Sequence, residues 1–250
     1  MLNKLPLTGL PIDQVPPAVI VCGDPDRATM AAKFLDGSEL LSEKREYRCY
    51  RGKFRERTIA ICSHGIGAPG AAIAFEELIQ AGARKIIRVG TCGALQSEMV
   101  AGQLVIATAA VQNTGYGLES APAGYPAVAD FELSLALKRA ATDLGKDYVA
   151  GIVLSRDNFY AGVDGPSTPD YMTLSAANVQ AVEMERASLF IIGSLRSVQT
   201  AAILAIDGNV LHSGEKMESY APGLGPVQAA IQAEIKIALN ALSDVRDESS

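Results

Sequence analysis

Two arginines stand where a charged partner would have to meet them. Arg27 follows Gly23-Asp24-Pro25-Asp26, directly after the apolar run Ala18–Cys22, and Arg88 interrupts the run Lys85–Gly90. Glycine lets the backbone approach a ligand closely, and a helix N-terminus offers unpaired N–H groups to an anion. A cation in a first helical turn opposes the helix dipole, so Arg27 gains if it points back to share such an anion. The same residues also read as a plain strand–turn–helix junction carrying a surface arginine. A guanidinium inside an apolar strand is costly unless paired. Arg88 therefore meets either a fixed carboxylate or a bound anion, and the Thr91 hydroxyl within Gly90-Thr91-Cys92-Gly93 favours the anion.

Glu183-Met184-Glu185 sets two carboxylates around a thioether at an expected helix start. Glutamates there suit the helix dipole and need no further role. Alternatively, one could accept hydrogen bonds from a sugar diol with Met184 packed on the sugar. Asp207 follows the apolar run Thr200–Ile206 directly, a good place for a general acid, although Asp-Gly is also a common turn pair. Gly65-Ile66-Gly67-Ala68-Pro69-Gly70 spells G-x-G-x-x-G and opens a rival reading, an NADP oxidoreductase. The acidic ribose ligand expected about 20 residues on is missing, and the next strand carries Arg88 instead.

These side chains need strands to hold them. Runs rich in β-branched residues at Ala18–Cys22, Thr58–Ser63, Lys85–Gly90, Gln103–Thr108, Ala150–Ser155 and Thr200–Ile206 read as strands. Helices are expected at Asp26–Leu35, Ala71–Ala81, Glu185–Leu195 and Pro226–Leu242, the last with Val227, Ala230, Ile231, Ile235, Ala238, Leu239 and Leu242 on one face. Interleaved strands and helices predict an α/β fold, a three-layer αβα arrangement with a central mixed β-sheet. A single domain is expected over residues 1–250, with loops at Gly115–Ala127 and Asp207–Leu224 and a disordered tail over Ser243–Ser250.

Composition excludes several classes of function. The 250 residues carry a net charge of −6 and no basic block, which argues against nucleic acid as a partner. No apolar run long enough to span a membrane occurs, and Met1–Pro6 lacks a secretory signal, so a cytoplasmic protein is expected. The widely spaced Cys22, Cys49, Cys62 and Cys92 read as buried or free thiols rather than disulfides or metal ligands. With His64 and His212 as its only histidines, the chain offers no histidine-rich metal site.

Seven segments in order carry a resemblance over about Leu7 to Leu242: GDPDRA (Gly23–Ala28), KREYRCYRGKF (Lys44–Phe54), SHGIGAPG (Ser63–Gly70), RVGTCGA (Arg88–Ala94), YPAVADFE (Tyr125–Glu132), SRDNFYAG (Ser155–Gly162) and VEMER (Val182–Arg186). Together they resemble the nucleoside phosphorylase superfamily, which contains uridine phosphorylase and the hexameric purine nucleoside phosphorylases. The resemblance implies phosphate-dependent cleavage of a nucleoside to free base and ribose 1-phosphate, with inorganic phosphate as co-substrate and no metal or organic cofactor. It implies a phosphate site of Gly23, Arg27, Arg88 and Thr91, with Arg45 supplied by a neighbouring subunit of a dimer or hexamer. Met184 and Glu185 would hold the ribose, while Phe159, Glu183 and Asp207 would meet the base. Asp207 falls where purine phosphorylases keep the acid that protonates the departing purine. Gly65–Gly70 becomes a turn beside the nucleoside, with no dinucleotide implied.

The chain also departs from that pattern. Uridine phosphorylases read uracil with a Gln and an Arg where this chain has Val163 and Gly165, so a purine is the expected base. The family's partner-donated N-terminal His is absent, and Leu5-Pro6-Leu7 stands in its place, an apolar stretch better suited to a 5′-deoxy or 5′-methylthio group. Arg186 replaces a small residue and could pair with Glu183 or Glu185, or face solvent. A uridine or 5′-methylthioadenosine phosphorylase, a nucleosidase and a non-catalytic nucleoside-binding relative are the alternatives.

Overall fold

The computed structural model describes residues 3–160, 162–213, 223 and 225–245. Every strand among them joins one mixed sheet. Strand β1 (Ala18–Cys22) lies at its middle, parallel to β4 (Arg57–Ser63) on one side and to β5 (Lys85–Ala94) on the other. Beyond β4 the sheet continues antiparallel through β3 (Tyr47–Phe54) to the edge strand β2 (Asp36–Lys44).

At β5 the sheet curls. Strand β5 pairs with both β9 (Ala181–Glu183) and β10 (Gln199–Asn209). Strand β9 continues to β8 (Tyr148–Arg156), β8 to β6 (Leu104–Asn113), and β6 returns to β10, so these pairings close a ring. The short β7 (Ala127–Val128) adds to β6.

Helices cover both faces, as the alternation in β1 requires. Val19 and Val21 join a core that includes Phe75 and Leu78 of α2 (Ala68–Gln80) and Phe190 of α6 (Arg186–Arg196). Ile20 and Cys22 join the opposite core, with Ala28 of α1 (Pro25–Ala32), Leu137 of α4 (Phe131–Asp143) and Ile235 of α8 (Gly225–Asp244). A strand buried on both faces reads as a continuous apolar run, and AVIVC is such a run.

Each expected strand and helix exists, with shifted ends. The first helix stops at Ala32 rather than Leu35, and the strand expected to end at Gly90 runs on to Ala94. The loop expected at Gly115–Ala127 contains α3 (Gly115–Ser120), capped by the Thr114 side chain, which accepts from the Gly117 amide at 3.3 Å. Of the Asp207–Leu224 loop, the first residues extend β10 and form α7 (Val210–Ser213), and most of the remainder lies outside the described residues. Helix α8 takes in Ser243 and Asp244, and residues 246–250 of the expected tail are likewise outside. Strands β2 and β3 and helix α4 had no counterpart in the sequence-based expectation. Strand β2 is exposed at seven of nine positions, so its side chains carry no alternating signal.

Candidate functional site

The carboxyl ends of β1, β4, β8, β9 and β10 and the second half of β5 surround one cavity of about 1110 Å³. Gly23, Arg27, Arg88, Thr91, Phe159, Glu183, Met184, Glu185 and Asp207 all line it. Arg45 does not. It occupies the two-residue turn between β2 and β3 at a φ of 57°, exposed, beside Glu46, which does line the cavity.

Arg88 is the hub. Its Nη2 donates to Glu185 Oε2, and its Nε donates to His64 Nε2 at 2.9 Å. Its Nη1 is buried without a hydrogen-bond partner among the described residues and stands 4.0 Å from Glu183 Oε2. The guanidinium folds back over its own strand, where a Cβ on Gly90 would come within 2.7 Å of Nη1. Of the two alternatives for Arg88, the fixed carboxylate is met by Nη2, and Nη1 has no hydrogen-bond acceptor among the described residues. His64, which the sequence reading gave no site role, accepts from Arg88 and must therefore carry its proton on Nδ1. Burial, aided by Arg88, pushes the His64 imidazole well below its usual pKa, so it stays neutral.

Glu185 joins this hub to the turn after β4. Its Oε1 accepts from the Gly67 amide at 2.7 Å. The glycines of Gly65–Gly70 are needed here, since Gly65 and Gly67 have φ values of 74° and 93° and a Cβ on Gly65 would clash with Glu46 at 2.7 Å. The G-x-G-x-x-G turn thus presents an amide to a carboxylate across the site. Each Glu185 oxygen keeps a lone pair for a further donor.

Glu183 is committed to the protein. It accepts from the Ser155 hydroxyl, from the Glu185 and Arg186 amides at 2.7 and 3.0 Å, and from Arg186 Nη1 at 2.9 Å. This carboxylate caps α6 and fixes the direction of Glu185. Arg186 is fully buried, which settles its three alternatives in favour of the Glu183 pair.

Asp207 owes its aim to a β-bulge. The register of β10 against β5 shifts between Ile206 and Gly208, and Asp207 is the extra residue. Bulges re-aim a side chain, and this one turns the carboxyl into the cavity beside the Thr91 hydroxyl. Burial raises the carboxyl to about 6, although the Thr91 hydrogen bond and Arg27 act the other way.

At the β8 end, Phe159 and Tyr160 pack edge to face with centroids 5.1 Å apart, 44% and 53% exposed. Val163, 96% exposed, and Gly165 do not line the cavity. Arg156 and Tyr171 do, and neither was singled out from sequence. Arg156 had a readable signal: like Arg88, it is a charge attached to an apolar strand.

Comparison with known proteins bears on this geometry. A family model described as the phosphorylase superfamily matches residues 17–243. A uridine phosphorylase of Treponema pallidum is 39% identical over 217 residues, 84% of either chain. A guanosine phosphorylase of Halorubrum lacusprofundi is 36% identical over 227 residues, 90% of this chain and 92% of that one. The crystal structure of purine nucleoside phosphorylase from Toxoplasma gondii in complex with immucillin-H superposes with a TM-score of 0.90 at 32% identity, covering 98% of this chain and 97% of that chain.

Proposed function

The chain belongs to the phosphorylase superfamily, and from that premise we propose that it is a nucleoside phosphorylase acting on purine nucleosides, splitting the glycosidic bond with inorganic phosphate to give free base and ribose 1-phosphate. The observation that carries the reading is the Arg88 guanidinium, anchored on Glu185 and His64 with Nη1 buried over Gly90 and lacking a hydrogen-bond acceptor among the described residues. A buried donor without a partner is rare and costly, and a phosphate oxygen at the cavity floor satisfies it. Gly23, Arg27 and Thr91 face the same space, and we assign them to the phosphate as well.

The ribose then rests against Met184 with its hydroxyls on Glu185. As the glycosidic bond stretches, the sugar gains positive character and the base negative charge. Phosphate stabilises the first and attacks C1′; Asp207 donates a proton to N7 of the purine. Because Arg88 touches both the proposed phosphate site and Glu185, nucleophile and sugar are positioned by one side chain, and positioning is where most of the rate gain lies. Glu183 serves by orienting Glu185 and α6. The reaction needs phosphate as co-substrate and no organic cofactor.

We place Arg45 in the phosphate site of a partner subunit, which makes the enzyme a homo-oligomer, dimer or hexamer. In support, the hairpin that carries Arg45 is tied to the N-terminal segment: Lys44 Nζ donates to the Pro6 carbonyl at 2.6 Å, and Ser42 Oγ to the Thr8 carbonyl at 2.6 Å. Both elements proposed to cross the interface, Arg45 and Leu5-Pro6-Leu7, are thus joined to one another within the subunit. Four buried, unpaired thiols fit a reducing cytoplasm. Base release from inosine, guanosine, adenosine, 5′-deoxyinosine and uridine, with and without phosphate, tests the reading. Phosphate-dependent release from purine nucleosides is expected, with 5′-deoxyinosine turned over better than inosine. Release without phosphate would make the protein a nucleosidase.

A further inference from the structure

Arg156 ends β8, and its neighbour Ser155 faces the protein interior, accepting from the Ala187 amide at 2.9 Å and donating to Glu183. Alternation along a strand sends Arg156 the other way, into the cavity wall shared with Phe159, Tyr160 and Tyr171. It is 7% exposed, and its guanidinium lies 5.6 Å from the Tyr171 ring centroid with Nη1 donating to the Tyr171 hydroxyl at 2.5 Å. Tyr171 opens α5 (Tyr171–Ala176), whose N-terminus is fixed by Asp170 accepting from the Met172 and Thr173 amides at 2.9 and 3.3 Å. The guanidinium is therefore oriented from a fixed helix end.

Sheet register says what would meet it. Ser155 stands opposite Glu183 on β9, β9 lies against β5 through Val182 and Gly93, and Arg88 of β5 lies beside Val21 of β1. With β10 along one edge of β5, strands β1 and β9 share the other, at Arg88 and at Gly93, and the cavity lies where they part, with Arg156 and Glu183–Glu185 on one side and Gly23 and Arg27 on the other. Phosphate on the Gly23 and Arg27 side and ribose on Glu185 bring the base to Phe159 and Arg156.

We propose that Arg156 is a specificity residue that donates to a carbonyl oxygen of the base and makes 6-oxopurine nucleosides, those of guanine and hypoxanthine, the preferred substrates over adenosine. The proposal rests on the purine phosphorylase reading and deepens it. A guanidinium has donors only. The outer edge of an oxopurine presents two acceptors, O6 and N7, whereas adenine presents N7 beside an amino group that is itself a donor. Asp207 in its protonated form donates at N7, and Arg156 donates at the adjoining O6. On departure the negative charge of an oxopurine spreads onto O6, so the contact tightens as the bond breaks and raises kcat rather than only lowering KM. With adenine, donor faces donor.

The test is kcat/KM for inosine, guanosine and adenosine at saturating phosphate, in wild type, Arg156→Ala and Arg156→Gln. Wild type should favour the two oxopurines. Arg156→Ala should lose about 10- to 100-fold on them, the range of a charged hydrogen bond, while adenosine changes by less than about threefold. Arg156→Gln, whose amide both donates and accepts, should shift the ratio further toward adenosine. Adenosine turnover and an unchanged phosphate KM report that each variant is folded. An unchanged oxopurine-to-adenosine ratio in both variants, or a wild-type preference for adenosine, would overturn the proposal. Wild type that releases no purine at all under phosphate strikes the phosphorylase reading instead.

Discussion

Asp207 shows what a single residue can and cannot reveal in a sequence. An acid at the end of an apolar strand was legible, and the resemblance gave it a role. Its aim was not, because the bulge depends on pairing with β5, which is remote in sequence. Arg88 is similar: the cost of burying it demanded a partner, but His64 as one of its partners came only with the fold. Because burial raises the Asp207 carboxyl to about 6, it carries its proton below that pH and loses it above. A general acid must be protonated to act, so kcat/KM for a purine nucleoside should fall as pH rises through about 6. Asp207→Asn should cost about 10²- to 10⁴-fold and abolish that limb, read from pH–rate profiles of both proteins at fixed phosphate dianion concentration. A variant that keeps the limb would assign it to another group.

Helix α8 carries its own consequence. Its apolar face was readable from spacing, and Val227, Ile231, Ile235 and Leu242 are buried as expected. Glu234 on the same helix is also fully buried, close to the backbone of Gly90 and Ala205. A helical pattern gives no warning of this, since glutamate is ordinarily a surface residue there. Burial pushes Glu234 from 4.5 up to about 8, Arg27 acting in the opposite direction. The folded chain therefore holds a proton that the unfolded chain releases, and stability should fall as pH rises from about 4.5 to about 8. One such group contributes a slope of at most about 1.4 kcal/mol per pH unit. Glu234→Gln needs no proton and should be more stable than wild type at pH 8, with the two converging toward pH 4.5 in urea unfolding. Equal pH slopes would show that Glu234 is ionised in the fold. Edge strand β2 was illegible for the opposite reason: it buries too little to leave a pattern.

At the scale of the molecule, the α/β class followed from alternating runs, whereas the ring closed by β5 and β10 required pairings between segments more than 100 residues apart. The site inherits that topology, since β8, β9, β5 and β1 are distant in sequence and adjacent in the sheet. One part of the proposed site, Arg45, lies on the hairpin at the edge, outside its own cavity. Mixing an Arg45→Ala subunit with an Asp207→Ala subunit, each inactive alone, should restore activity in hybrids that hold one intact site; no recovery would argue for self-contained sites. The central claim is that phosphate, held by Arg88 and its neighbours, is the nucleophile at C1′. Its most direct test is the sugar product of inosine cleavage in phosphate buffer, followed by phosphorus NMR. The account predicts ribose 1-phosphate in equal amount to hypoxanthine, and free ribose in its place would contradict it.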